Sequence, residues 1–365
     1  MIYLSLYFGL LGGYFLREVP VHVAIRAYIG FALSMFLVFL VGLRNDVGHD
    51  FFEYKYLFDN LRPLWEYSGF GEILAHSSNY HGEVGFDFIV ILTKTLGLDF
   101  NGLLIVVTTS LLLILQKVTR YHQIDFFKAL FVFVGLYFVY YFFSYLRLSI
   151  VAVGFLWALR FVIEKNFVRY LSAILLLSLF HVSALGLIVV YFFRIRLTPL
   201  NSLLTVGSAF LWQKYYSISN VNTFFLNYDF LPGLNYYLTS TGDLYRQGVL
   251  TFTPVFHFFF YFVNLYIYRS YLKPDELVDT LLRSYLLGVF ISVAFIDFTL
   301  ISSRISGILI LPIVILFPKV LDQLSGTYIR VGYFVTLISY SSMLFIKMIY
   351  IDPNYMLPYE SILSL

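Results

Sequence analysis

Five short stretches hold the candidate residues for chemistry. Arg44-Asn45-Asp46-Val47-Gly48-His49-Asp50 gathers a guanidinium, an imidazole and two carboxylates around a glycine that permits a turn, and Phe51-Phe52-Glu53-Tyr54 follows. Glu83-Val84-Gly85-Phe86 sets a carboxylate at the mouth of a short apolar run. Tyr145-Leu146-Arg147-Leu148-Ser149 places an arginine in a near-zero-length turn between two apolar runs. Phe180-His181-Val182-Ser183-Ala184 carries a histidine inside an otherwise apolar helical run, and Ser302-Ser303-Arg304-Ile305-Ser306-Gly307 follows Asp297. Guanidinium groups grip phosphate oxygens bidentately and keep their charge when partly buried. A neutral imidazole is a proton acceptor near neutral pH. The combination suits holding a phosphorylated head group while a proton is taken up. Blander readings exist for each: Glu83 as a carboxylate favoured at a helix N-terminus, His181 as a packing residue, Asp297 as the partner of Arg304.

The elements that must carry these residues are membrane helices. Of 365 residues, 60 % are apolar, 21 % aromatic and only 12 % charged; average soluble domains have about twice that charge fraction. Mean hydropathy is +0.82. Continuous apolar runs exclude a β-barrel, which needs alternation of period two. The composition predicts an all-α polytopic membrane protein, with residues 1–365 as a single integral membrane domain. Expected spans are Ile2–Leu16, His22–Leu43, Leu103–Val118, Phe126–Tyr145, Leu148–Ile163, Val249–Tyr268, Leu277–Phe295, Ile305–Phe317 and Tyr328–Ile349. Val84–Leu98, Tyr170–Phe193 and Leu200–Gln213 are short or interrupted. The total is about ten to twelve spans, some of them short or re-entrant. No basic residues precede the first run, so it reads as a retained helix and not a removable signal.

Lysines and arginines orient the chain. Clusters such as Lys117/Arg120/Lys128, Arg160/Lys165/Arg169 and Arg269/Lys273/Arg283 are expected in the cytoplasm, and the polar stretches 44–82 and 213–248 outside. The first of these stretches should include an amphipathic surface helix over Asp50–Asn60. Counting every short run as one span breaks this parity. It is restored if Val84–Leu98 dips in and returns and if Tyr170–Phe193 is a hairpin broken near His181. Non-helical backbone at membrane depth needs burial in protein or a wet cavity, so the parity itself points to a cavity. Arg44, Arg147 and Arg304 then share the outer side, where a diphosphate head group would sit, with Arg44 and Asp50 at the outer mouth. Trp65, Tyr67, Tyr80, Tyr215, Tyr216, Tyr236, Tyr237 and Tyr245 could stack on sugars, and Arg246 adds a cation beside Tyr245.

Several classes are excluded. A formal charge of +3 supplies no basic patch for nucleic acid. The absence of cysteine removes disulfides, Fe–S clusters and thiol nucleophiles. There is no P-loop, no H-E-x-x-H, no D-x-D and no G-x-S-x-G, so neither a cofactor nor a metal is expected.

The order Arg44…Gly48-x-Asp50, Glu83-x-Gly85-Phe86, Arg147, Phe180-His181-x-Ser183-Ala184 and Arg304 resembles the EpsG-like branch of the Wzy-type polysaccharide polymerases, roughly over Arg44 to Phe317. One departure is Leu148-Ser149 after Arg147, where that family often has Gln and small residues. The resemblance implies a GT-C-like membrane fold in a bacterial inner membrane, with the site facing outward. It implies an enzyme that moves a growing glycan from undecaprenyl diphosphate to the terminal sugar hydroxyl of another lipid-linked repeat unit, without nucleotide or metal. Its partners would be these lipid-linked oligosaccharides, membrane lipid, a chain-length regulator and a flippase. Candidates for the base are His181, Asp50 and Glu83, with His181 first because a neutral imidazole is cheaper to bury. Arg147 and Arg304 would hold the diphosphate. An O-antigen-ligase-like glycosyltransferase and a lipid-linked oligosaccharide flippase are the alternatives.

Overall fold

The structure is a computed structural model that describes residues 2–18, 22–80, 83–215, 252–296, 301–351 and 356–364. Among the described residues there is no strand, and one isolated antiparallel bridge joins Arg44 to Ser361. Among the described residues, six helices are long and apolar enough to cross a membrane: Phe100–Tyr121, Phe126–Ser144, Leu146–Ile163, Glu276–Ala294, Ser302–Gln323 and Tyr328–Tyr350. Ile2–Tyr14, Tyr28–Gly42, Phe167–Ser178 and Val182–Phe192 are shorter apolar helices. The chain is a polytopic all-helical membrane protein.

Acidic side chains start three of these helices. Asp99 accepts from the Gly102 N–H at 2.8 Å, Asp125 from Phe127 at 2.9 Å, and Asp275 from Leu277 at 2.9 Å. Each satisfies an amide that a helix leaves unpaired at its first turn. Three of the 21 acidic residues thus have a structural role.

The chain forms two compact units: Met1–Trp157 with Leu179–His181 and Phe317–Leu365, and Ala158–Ser178 with Val182–Leu316. In the first, α1 (Ile2–Glu18) and α2 (Val23–Gly42) are followed by a region predicted as a loop. That region is in fact mostly helical, with α3 (Phe51–Asn60), a 3₁₀ turn at Leu64–Glu66 and α4 (Phe70–Tyr80). The expected surface helix over Asp50–Asn60 is α3. Next come α5 (Val84–Thr95), α6 (Phe100–Tyr121) and α7 (Phe126–Phe133), which passes into an eleven-residue π-helical stretch, Val134–Ser144. α5 has 12 residues, which at about 1.5 Å per residue is too short to span a bilayer. Only Tyr145 separates the π-helical stretch from α8 (Leu146–Ile163). The Tyr7 hydroxyl lies 3.1 Å from Ser341 Oγ, and the rings of Tyr7 and Phe345 stack at 4.9 Å. These contacts tie the first helix to the last long one.

In the second unit, α9 (Phe167–Ser178) ends before His181, and a 3₁₀ run, Val182–Ile188, leads into α10 (Val189–Phe192). Phe167 meets Phe192 at 5.3 Å, and the Tyr170 hydroxyl donates to the Leu187 carbonyl at 2.6 Å. The two arms therefore return on each other, forming the broken hairpin expected from charge parity. Then follow α11 (Pro199–Tyr215), α12 (Phe252–Tyr271) and α13 (Glu276–Ala294). α13 is buried along nearly its whole length, and Ser284 Oγ donates to the Leu309 carbonyl at 2.8 Å.

Candidate functional site

Arg44 follows the end of α2 and opens the turn into α3. Its carbonyl accepts from Asn101 Nδ2 at 3.2 Å, as does that of Gly42 at 2.7 Å. Gly48 has φ +112°, and a Cβ there would lie 2.0 Å from the Phe143 carbonyl oxygen and 3.1 Å from Arg44 Nη1. No other residue fits, because the positive φ and the close approach both exclude a side chain. The turn thereby packs against the end of the π-helical stretch, and the His49 N–H donates to Ser144 Oγ at 3.4 Å.

Arg44 is wholly buried, whereas the sequence placed it at an outer mouth. It does not reach the surface because the turn folds back over it. Its guanidinium lies 4.9 Å from the Phe143 ring centre and 5.8 Å from that of Phe51. Nε, Nη1 and Nη2 have no hydrogen-bond partner among the described residues. Burial pushes its pKa down to about 10, while Tyr3, Tyr54, Tyr359 and Asp50 act in the opposite direction. It is still a cation at neutral pH. Asp50 is nearer the surface, and its Oδ1 lies 3.0 Å from Nδ1 of the exposed His49.

Glu83, Arg147 and His181 meet in space. Glu83 Oε2 is 2.7 Å from Arg147 Nη1, and Oε1 is 3.9 Å from His181 Nε2. All three side chains are largely buried. Gly85 makes the meeting possible. Its N–H donates to the Leu179 carbonyl at 2.8 Å, and a Cβ at Gly85 would stand 2.9 Å from that same oxygen. The backbone of 179–181, where the hairpin breaks, can therefore lie directly against the start of α5.

Tyr54 lies against Arg147, and it was absent from the residues given a role by the sequence. Its hydroxyl accepts from the Arg147 N–H at 3.4 Å, and the Arg147 guanidinium lies 5.5 Å from its ring centre. That N–H is one of the unpaired amides at the start of α8. Burial pushes the Tyr54 phenol up, partly offset by the Arg147 charge. Phe86, fully buried, packs on the Tyr54 ring at 5.6 Å. Lys94 of α5 clamps the far end of α3: its Nζ donates to the Phe58 carbonyl at 2.6 Å and also to that of Leu61. A cation there suits the negative end of the helix.

Arg304 lies in a π-helical turn, Ile301–Ile305, that begins a long apolar helix, and not in a turn between spans as the sequence suggested. It belongs to the second unit, whereas Arg44, Asp50, Glu83, Arg147 and His181 belong to the first. Tyr245, Arg246 and Asp297 lie outside the described residues. Among the described residues no three His, Asp or Glu side chains gather closely enough to hold a metal ion.

A model of the EpsG family matches residues 27–361. The chain belongs to the EpsG family. No curated protein and no solved structure matches it. Membership in the EpsG family supports a polysaccharide-polymerase type of function, and with it a glycosyltransferase-like enzyme in a membrane. The matched EpsG region contains Arg44, Asp50, Glu83, Arg147, His181 and Arg304.

Proposed function

We propose that the chain polymerises lipid-linked oligosaccharide repeat units at the outer face of a bacterial inner membrane. The growing glycan leaves undecaprenyl diphosphate and joins the terminal sugar hydroxyl of an incoming lipid-linked unit. The bond from the anomeric carbon to the diphosphate oxygen breaks, and its electron pair stays with the diphosphate. A glycosidic bond forms to the acceptor oxygen, whose proton passes to His181. Glu83 stabilises the resulting imidazolium and holds Arg147 in place. Arg44 and Arg147 offset the charge that develops on the diphosphate; preorganised cations in a water-poor site are effective there. Asp50, engaged with His49, is the lesser candidate for the base. Tyr245 and Arg246 would contact the glycan. Neither nucleotide nor metal takes part, and chain-length regulator and flippase are separate proteins. A GT-C-like fold belongs to the same reading.

The observation that carries this reading is the Glu83 carboxylate shared between Arg147 at 2.7 Å and His181 at 3.9 Å. A histidine and a permanent cation on one carboxylate support the reading, because the reaction needs a proton acceptor and a cation for the leaving group. The test is reconstitution in lipid vesicles with lipid-linked repeat units alone. A ladder of longer lipid-linked glycans is expected without ATP or nucleotide sugar. Units that cross the bilayer without lengthening would establish a transporter instead, and transfer only to an acceptor that is not a repeat unit would establish a ligase.

A further inference from the structure

Arg44 poses a physical problem that the Glu83 cluster does not solve. A guanidinium has five N–H donors and no acceptor. Here it is fully buried with none of its nitrogens hydrogen-bonded among the described residues. A buried charge without a partner is costly, and such groups are normally paired. Its walls are aromatic: Phe143 and Phe51 stand against it, and the Tyr3 ring lies 5.8 Å from Phe143 and 6.1 Å from Tyr359. Its donors are left unused by the described residues, and an anion is what would satisfy them.

Most of these walls are parts of helices, held by their own hydrogen-bond ladders. One is not. Residues 356–364 return to the end of α2 and lie across it. The Tyr359 hydroxyl donates to the Leu40 carbonyl at 2.9 Å. The Asn45 N–H donates to the Glu360 carbonyl at 3.0 Å, and the Ile362 N–H to the Leu43 carbonyl at 2.9 Å. Arg44 and Ser361 face each other between these bonds. A short segment held this way opens at far lower cost than a packed helix.

We propose that the segment Met356–Ser364 is a movable cover over an anion site at Arg44, and that the diphosphate of the lipid-linked donor reaches the guanidinium when the cover lifts. The identity of the anion rests on the polymerase reading; the cover and the anion site do not. Lifting the segment removes Tyr359 from the wall and frees the Asn45 amide, which adds a second donor beside the guanidinium. Closing it again expels the leaving group, so opening is coupled to each cycle of transfer.

The chain has no cysteine, which makes a cross-link test clean. Residues 45 and 360 flank the Arg44–Ser361 bridge and share one main-chain hydrogen bond. Hydrogen-bonded antiparallel pairs have Cα atoms about 5.5 Å apart, inside the disulfide range. A double variant, Asn45→Cys with Glu360→Cys, is compared oxidised and reduced. Two readouts are used: elongation of lipid-linked repeat units and binding of inorganic pyrophosphate by equilibrium dialysis. Oxidation is expected to lower both at least tenfold, and reduction to restore them. Equal elongation and equal pyrophosphate binding in the two forms would overturn the cover. An equal response of Asn45→Cys alone to oxidant would do the same. Oxidation-sensitive pyrophosphate binding with no elongation in either form would retain the cover and remove the polymerase reading. Arg44→Gln should bind pyrophosphate at least tenfold more weakly even when reduced; undiminished binding would remove the anion site.

Discussion

At the scale of single residues, membrane physics made the candidates visible. A charge in an apolar run costs several kcal/mol unless it is paired or hydrated, so Arg44, Glu83, Arg147 and His181 each asked for a reason. Arg44 is the extreme case, buried and without a hydrogen-bond partner. Arg44→Met should therefore raise stability by about 1–4 kcal/mol, read as a higher unfolding midpoint in detergent, while elongation falls about 100-fold or more. A lower midpoint would mean that the charge is matched by the protein itself. Tyr54 was not legible, because a tyrosine near a membrane interface is ordinary; only the fold shows its hydroxyl on the Arg147 amide. Tyr54→Phe keeps the ring contacts with Phe86 and Arg147 and removes one acceptor. The stability cost should be about 1 kcal/mol, with kcat down about tenfold through a misplaced Arg147 and KM little changed. An unchanged kcat would reduce Tyr54 to packing.

At the scale of elements, two glycines and a lysine assemble the site. Gly48 lets the turn after α2 meet Phe143, Gly85 lets the 179–181 backbone meet α5, and Lys94 ties α5 to the end of α3. Gly85→Ala is the sharpest check. Its methyl would stand 2.9 Å from the Leu179 oxygen, so the 179–181 segment must retreat and carry His181 from Glu83. Insertion and expression should survive, while elongation drops by about 100-fold, as misplacements of about 1 Å do. Wild-type elongation in this variant would show that the His181–Glu83 approach is dispensable. The broken hairpin at His181 was legible from charge parity, and α3 from its pattern. The π-helical winding of Val134–Ser144 was not, because its apolar composition suits an α-helix equally well.

At the scale of the whole molecule, the chain is a polytopic helical membrane protein of the EpsG family, organised as two compact units. The first unit contains Arg44, Asp50, Tyr54, Glu83, Arg147 and His181. The polymerase reading requires this cluster to face outward. His49 is exposed beside Asp50, and Lys165 is exposed in a basic cluster expected in the cytoplasm. In the cysteine-free chain, His49→Cys should react with a membrane-impermeant maleimide on intact cells, and Lys165→Cys only after permeabilisation. The reverse pattern would place the site in the cytoplasm and sink the outward-facing reading.

Composition and apolar runs by themselves determined the membrane class, the helical architecture and the short list of charged candidates. The order of the motifs pointed to the family. These properties are local: hydrophobicity sums along a segment, and an out-of-place charge is costly wherever its segment goes. The tertiary structure alone decided that Glu83 lies between Arg147 and His181, that Arg44 is buried and not at a mouth, and that residues 359–362 bond to the backbone on either side of it. Those depend on backbone approaches between parts of the chain far apart in sequence, where the deciding feature is a missing Cβ or a main-chain amide. Neither leaves a mark in hydropathy or charge.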